Sequence, residues 1–226
     1  IGISYTRGQA ILPLLLPEFS RSYPQIELSV VEGSSAELEE NLAKGDIDVM
    51  IGFAPFNLES ACTTPLMKEH LYLVLPQSLM NEHFGSKANE VFDEYRKNHD
   101  ITLFRDFPFV LLKKGDRIRT TLDKAFSKAG MKPRIKLETS NIQTAYALSA
   151  EGMGLTVCPE LYLRNRYVES GHADSELRRR ILLCPFFSDE RTDTIAIGYN
   201  RDRYLSANAS AFMDMALSVF SSGNQK

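Results

Sequence analysis

The sequence predicts an α/β fold made of two similar, doubly wound lobes. Strand-like apolar runs alternate with helical stripes through three β-α steps in the first 53 residues. The same rhythm returns over residues 109–159. The last amphipathic helix, from Ser206, aligns Ala209, Phe212, Met213, Ala216, Leu217 and Phe220 on one face, and that face must pack on something.

Taken in order, Ile1–Ser4 reads as the first strand and the polar run Ser4–Gly8 as the loop after it. Ile11, Leu14, Leu15 and Phe19 then fall at helical spacing through Arg21. Pro13 is tolerable in a first turn, whereas Pro17 removes a backbone donor and is expected to bend or restart the helix. Tyr23-Pro24 ends it, and Ile26, Leu28 and Val30 alternate as a second strand. Ser34 and Glu37 have the spacing of a capping box, with Leu38 and Leu42 facing inward and Gly45 as the stop. Val49–Phe53 is a continuous apolar run suited to a central parallel strand.

Residues 55–65 read as a loop and Leu71–Leu75 as a strand. The polar stretch 77–107 reads as a decoration on the second lobe, with one helix from Lys87 to Lys97 that displays Val91, Phe92 and Tyr95. Phe109–Leu112 restarts the α/β pattern. Asp116 caps a helix that turns Ile118, Leu122, Ala125, Phe126 and Ala129 inward and stops at Gly130. The densest stretch follows, from Leu137 to Pro159. Here Ser140 and Gln143 have capping-box spacing, and Ile142, Ala145, Tyr146, Leu148 and Ser149 form the inner stripe. Gly152 ends the helix, and Leu155-Thr156-Val157 makes a strand closed by Pro159, which completes a β-α-β unit. A helix through Tyr167, a charged loop, and strands at Ile181–Leu183 and Thr194–Tyr199 lead to the last helix.

Composition narrows the function. The 226 residues are 43% apolar, enough for a packed core, and the net charge of −3 comes from 26 basic and 29 acidic residues interspersed. No field of one sign invites nucleic acid or an anionic membrane, so this chain alone is a poor DNA binder. Arg178-Arg179-Arg180, flanked by Asp174 and Glu176, reads as a solvated loop. Cys62, Cys158 and Cys184 show no C-x-x-C spacing, which argues against a disulfide framework or zinc and favours a reducing cytosol. Cys158 reads as a small buried hydrophobe. The histidines, His70, His83, His99 and His172, are scattered without ligand spacing, so no metal is expected. No run is long enough to span a bilayer. There is no G-x-S-x-G elbow, P-loop or G-x-G-x-x-G, so neither catalysis nor a cofactor is expected.

One set of residues goes further: Leu12-Pro13, Phe19, Tyr23-Pro24, Glu32-Gly33 before a Ser-capped helix, Gly45-Asp46-Ile47-Asp48, Arg119 with Leu122-Asp123, Glu138, and Gly152-Met153-Gly154-Leu155 with Pro159. In order and spacing, over nearly the whole chain, this set resembles the effector-binding domain of LysR-type transcriptional regulators. The resemblance implies a periplasmic-binding-protein type II-like fold, with two Rossmann-like lobes joined by two crossover strands. Lobe I would be residues 1–74 plus 193–226 and lobe II residues 75–192, with crossovers at Leu71–Leu75 and Thr192–Ile195. It also implies a small effector in the cleft between the lobes and a cytoplasmic homodimer or homotetramer. DNA would be touched only through an N-terminal winged helix-turn-helix outside this chain, consistent with a start at Ile1 in mid-strand. The alternative is a secreted receptor of a transporter with the same fold. Pro17 and the 77–107 stretch depart from the family pattern.

Ligands of parallel α/β units sit at the carboxyl ends of the strands, where helix N-termini favour anions. The candidate effector-binding residues are therefore Ser4, Thr6 and Arg7, then Ser34 and Ser35, then Thr139, Ser140 and Asn141. Ser34 and Ser140 either cap only, or cap and also touch the ligand. Phe53 either walls the cleft or packs in the core. Arg7 and Arg119 can each grip a carboxylate bidentately; Arg119, in the first turn of its helix, reads more readily as a solvated or salt-bridged surface charge.

Overall fold

A computed structural model describes residues 1–163, 180–187 and 193–223. In chain order the elements are β1 (Gly2–Ile3), α1 (Tyr5–Ser22), β2 (Val31–Glu32), α2 (Ser35–Lys44), β3 (Met50–Phe53), β4 (Ala61–Glu69), β5 (Leu71–Pro76), α3 (Gln77–Phe84), α4 (Ala88–Asn98), β6 (Pro108–Leu112), α5 (Arg117–Lys128), β7 (Arg134–Thr139), α6 (Ile142–Ala150), β8 (Thr156–Pro159), β9 (Ile181–Pro185), β10 (Asp193–Asn200) and α7 (Ala207–Gly223). They divide into two compact units: Ile1–Glu69 with Thr192–Lys226, and His70–Arg191.

Unit 1 is a sheet of order β2-β1-β3-β10-β4. β1 runs parallel to β2 and β3, and β10 runs antiparallel to β3 and β4. The apolar run of β3 is wholly buried and central, as its composition predicts. The tail does return. β10 lies between β3 and β4, and α7 packs Phe212 edge-on against Phe19 of α1, with ring centroids 5.3 Å apart. α2 carries the predicted capping box at Ser34 and Glu37, buries Leu38 and Leu42, and ends on Gly45 at φ 80°, a left-handed position that glycine adopts without a Cβ penalty.

Four expectations in unit 1 are corrected. The run Ser4–Gly8 is not a loop: Ser4 is the N-cap, its carbonyl accepts from the amides of Arg7 and Gly8, and α1 begins at Tyr5. Gly8 leaves room for the Glu32 carboxylate, because a Cβ there would lie 2.6 Å from Glu32 Oε1. Pro13 therefore lies in the interior of α1 rather than its first turn, and the helix passes Pro17 without restarting. The second strand lies just past the predicted Ile26–Val30: only Val31–Glu32 pairs, and the chain before it offers isolated bonds such as Ile1 N to Ser29 O. Finally, residues 61–65 are strand. Pro65 obscures this in the sequence, yet β4 is an edge strand and Pro65 sits beside its register shift, where a missing donor is tolerated.

Unit 2 repeats the topology. β5 pairs antiparallel with β8 and β9, and β6 pairs parallel with β7. A parallel bridge between Phe109 and Leu155 links the two sets, with Val110 N to Leu155 O and Leu155 N to Pro108 O both at 2.8 Å. The resulting order β7-β6-β8-β5-β9 matches β2-β1-β3-β10-β4 strand for strand. Gly154 makes the junction possible, because a Cβ there would lie 2.8 Å from the Pro108 carbonyl oxygen. Asp116 caps α5 as expected, accepting from the amides of Ile118 and Arg119.

Two expectations change in unit 2. The 77–107 stretch is no decoration: α3, α4 and a 3-10 turn at Ile101–Phe104 bring Tyr95, Phe104 and Phe107 into the core, each at most 1% exposed. α6 is capped by Asn141 rather than Ser140, one residue later, and Asn141 Oδ1 accepts from Gln143 N at 2.8 Å. Beyond Pro159 the helix is described only through Leu163. Its expected continuation to Tyr167, His172, Arg178, Arg179 and Thr192 lie outside the described residues. Arg180 pairs with Glu151 at 3.1 Å.

Candidate functional site

The start of α1 gathers more of the predicted residues than any other point in unit 1. It follows β1 at the carboxyl end of a parallel strand, the usual ligand side of such sheets. Ser4 takes the N-cap position in extended backbone but makes no side-chain cap hydrogen bond, and no acidic residue stands in the first turn. The first-turn amides thus keep their affinity for an anion. Instead the Ser4 hydroxyl accepts from Arg7 Nη1 at 3.2 Å. Thr6 lies in the same turn and is half-buried.

Arg7 is the third residue of α1 and only 5% exposed. Its Nη2 donates to Glu69 Oε2 at 2.5 Å, and its guanidinium lies 3.6 Å from the centroid of the Phe53 ring. Nε has no hydrogen-bond partner among the described residues. Ser4, Arg7 and Phe53, all candidates from sequence, thus converge in one cluster. The fourth member, Glu69, was missed. In the sequence it stands in Lys68-Glu69-His70, which reads as a solvated stretch, and only the pairing across 62 residues reveals it.

The start of α2 has different chemistry. Ser34 Oγ accepts from the Glu37 amide at 3.3 Å and Glu37 Oε2 accepts from the Ser34 amide at 2.8 Å. The backbone hydrogen bond from Ser34, with its side-chain hydrogen bond second, holds the Glu37 carboxyl below its ordinary pKa. A carboxylate therefore already occupies this helix start. Ser35 is the first helical residue beside it.

In unit 2, Thr139 ends β7 and its hydroxyl accepts from the Asn141 amide at 3.2 Å, while Asn141 caps α6. Ser140 lies exposed between them. Arg119 is 2% exposed and engaged on three sides: Nε to Asp123 at 2.8 Å, Nη1 to the Leu112 carbonyl at 2.7 Å, and Nη1 to Glu138. It is a buried, paired residue rather than a solvated surface charge. Among the described residues no three His, Cys, Asp or Glu side chains gather to hold a metal, and no helix is long and apolar enough to cross a membrane.

Comparison with known proteins agrees with this architecture. The HTH-type transcriptional regulator YcgK of Bacillus subtilis is 29% identical over 227 residues, covering 96% of this chain, and the chain spans 65% of that relative's length. Among solved structures, the effector-binding domain of QuiR in complex with shikimate superposes with a TM-score of 0.71 at 18% identity, over 98% of this chain and 95% of that one. The regulatory domain of CcmR from Synechocystis PCC6803 in complex with 2-PG gives a TM-score of 0.73 at 20% identity, over 97% and 95%. These two show the shared fold. The family described as LysR substrate binding domain matches residues 1–221, so the chain belongs to that family.

Proposed function

We propose that this chain is the sensing part of a LysR-type transcription regulator and that it binds a small anionic organic effector. The single observation that carries the ligand class is the open start of α1, with uncapped amides above the buried Arg7 guanidinium. Ser4, Thr6, Arg7 and Phe53 form the proposed site in unit 1, with Ser34 and Ser35 at the next helix start; Thr139, Ser140 and Asn141 are the candidates within unit 2. Arg119 serves by holding the start of α5 against the end of β7. The relatives are transcriptional regulators, which favours this reading over a transporter receptor or an enzyme.

In this reading the effector acts by population shift: it binds one arrangement of the protein better and so enriches it. The change passes to a helix-turn-helix segment that lies outside this chain and alone touches DNA, within a cytoplasmic homodimer or homotetramer. A thermal-stability screen of small organic acids, run beside DNA binding by the full-length protein, tests it. A true effector at about a hundred times its dissociation constant stabilises the chain by about 2.7 kcal/mol. If no acid shifts either stability or DNA binding, the reading is wrong.

A further inference from the structure

The Arg7–Glu69 pair bears on the effector reading just given, and the inference below rests on that reading. Both side chains are buried, at 5% and 2% exposure, and Glu69 Oε2 lies 2.5 Å from Arg7 Nη2. A buried arginine needs a counter-charge, and Glu69 supplies it. The other edge of the same guanidinium donates to Ser4 Oγ. A hydroxyl that accepts from a cation keeps its own proton for donation. The contacts thus run from the Ser4 hydroxyl through Arg7 to Glu69.

We propose that Glu69 is the resting counter-ion of Arg7 and that an anion at the start of α1 competes with it for the guanidinium. Ser4 is the contact group, Arg7 positions and polarises it, and Glu69 sets the affinity. Binding draws positive charge toward the anion and loosens the hold on Glu69. The location matters because Glu69 is the last residue of β4 and of the first stretch of unit 1, with His70 opening unit 2. A change in the Arg7–Glu69 contact is therefore delivered to the link between the units, and no separate relay is needed.

Sodium sulfate titrated into the 226-residue chain at constant ionic strength, followed by calorimetry, tests the proposal. Glu69→Gln, which removes the competing charge and keeps the shape, is expected to bind sulfate about fivefold tighter. Arg7→Gln is expected to bind it several-fold weaker, and in the double variant the gain from Glu69→Gln disappears. A purely structural ion pair would not produce that non-additivity. If Glu69→Gln melts as a folded protein yet binds sulfate no tighter, the proposal is overturned. Should that variant fail to fold, Glu69→Asp draws the carboxylate back by one methylene, and a smaller tightening is expected. Unchanged sulfate binding in Glu69→Asp is equally fatal. If neither the wild type nor any variant binds sulfate, this inference falls, while the organic-acid screen decides the wider effector reading on its own.

Discussion

α1 and α5 hold equivalent places in their units, each following the first parallel strand of its own sheet, and each puts an arginine at its third position. Both arginines are buried, yet their surroundings differ in kind. Arg119 is locked by Asp123, Glu138 and a carbonyl, and Asp116 closes the helix start above it. Arg7 has one carboxylate, an idle Nε and an open helix start. One scaffold thus takes two forms, closed by side chains in unit 2 and left without a side-chain cap in unit 1. What separates the two forms is the residue before the helix: an aspartate satisfies the amides from within, whereas a serine drawn toward Arg7 leaves them without a side-chain acceptor.

The sharpest way to break this comparison is to damage each core separately. Phe19→Ala in unit 1 and Phe126→Ala in unit 2 remove side chains at most 2% exposed, each edge-on to another aromatic ring 5.3 Å away. Each is expected to cost about 4 kcal/mol. Hydrogen exchange should then show lost protection of β1, β3 and β10 for Phe19→Ala, with β5, β6 and β8 unchanged, and the reverse for Phe126→Ala. Loss in both units from either change would make them one cooperative block.

A smaller effect separates the two helix starts. Asp116→Ala removes the oxygen that accepts from two amides and should lower stability by about 1 kcal/mol in urea unfolding, whereas Ser4→Ala should cost no more than a few tenths, because Ser4 makes no side-chain cap bond. Equal losses would erase the asymmetry.

The smallest expected effect contrasts α2 with α6, whose cap Asn141 carries no charge. Hydrogen bonds from Ser34 depress the Glu37 carboxyl below its ordinary 4.5 in the folded chain. A depressed acid contributes stability above its unfolded value, and that contribution is lost as pH falls through the lower folded value. Melting curves of wild type and Glu37→Gln should therefore differ at neutral pH and converge as the pH drops well below 4.5, with no such trend for Asn141→Ala.

Most of the scaffold was legible because its signals are local. Ser34 with Glu37, Asp116, and Gly45 are fixed by chemistry within a few residues, and all three stand where the pattern puts them. The misreadings arose where distant contacts override local preference. Pro65 argues for a loop until β4 is seen at a sheet edge, and polar 77–107 argues for a decoration until Tyr95 and Phe104 are seen in the core. The cap of α6 was displaced by one residue because Ser140 and Asn141 are both good caps and only the backbone chooses. At the site, Ser4, Arg7 and Phe53 follow from position after a strand. Glu69 could not be found, because nothing within its own strand marks a carboxylate that pairs with residue 7.

The placement of β10 has a consequence for how the polypeptide is made. The strand that joins β3 to β4 is made after every other described strand, so the opening 69 residues must wait for residues 193–200 before their sheet closes. Residues 70–191, made in between, contain every described strand that pairs with β5, β6, β7, β8 or β9 and can mature first. A premature stop anywhere in that middle stretch would release a chain in which β3 lacks its β10 neighbour and β4 lacks its only partner strand, and such edges recruit other chains into aggregates.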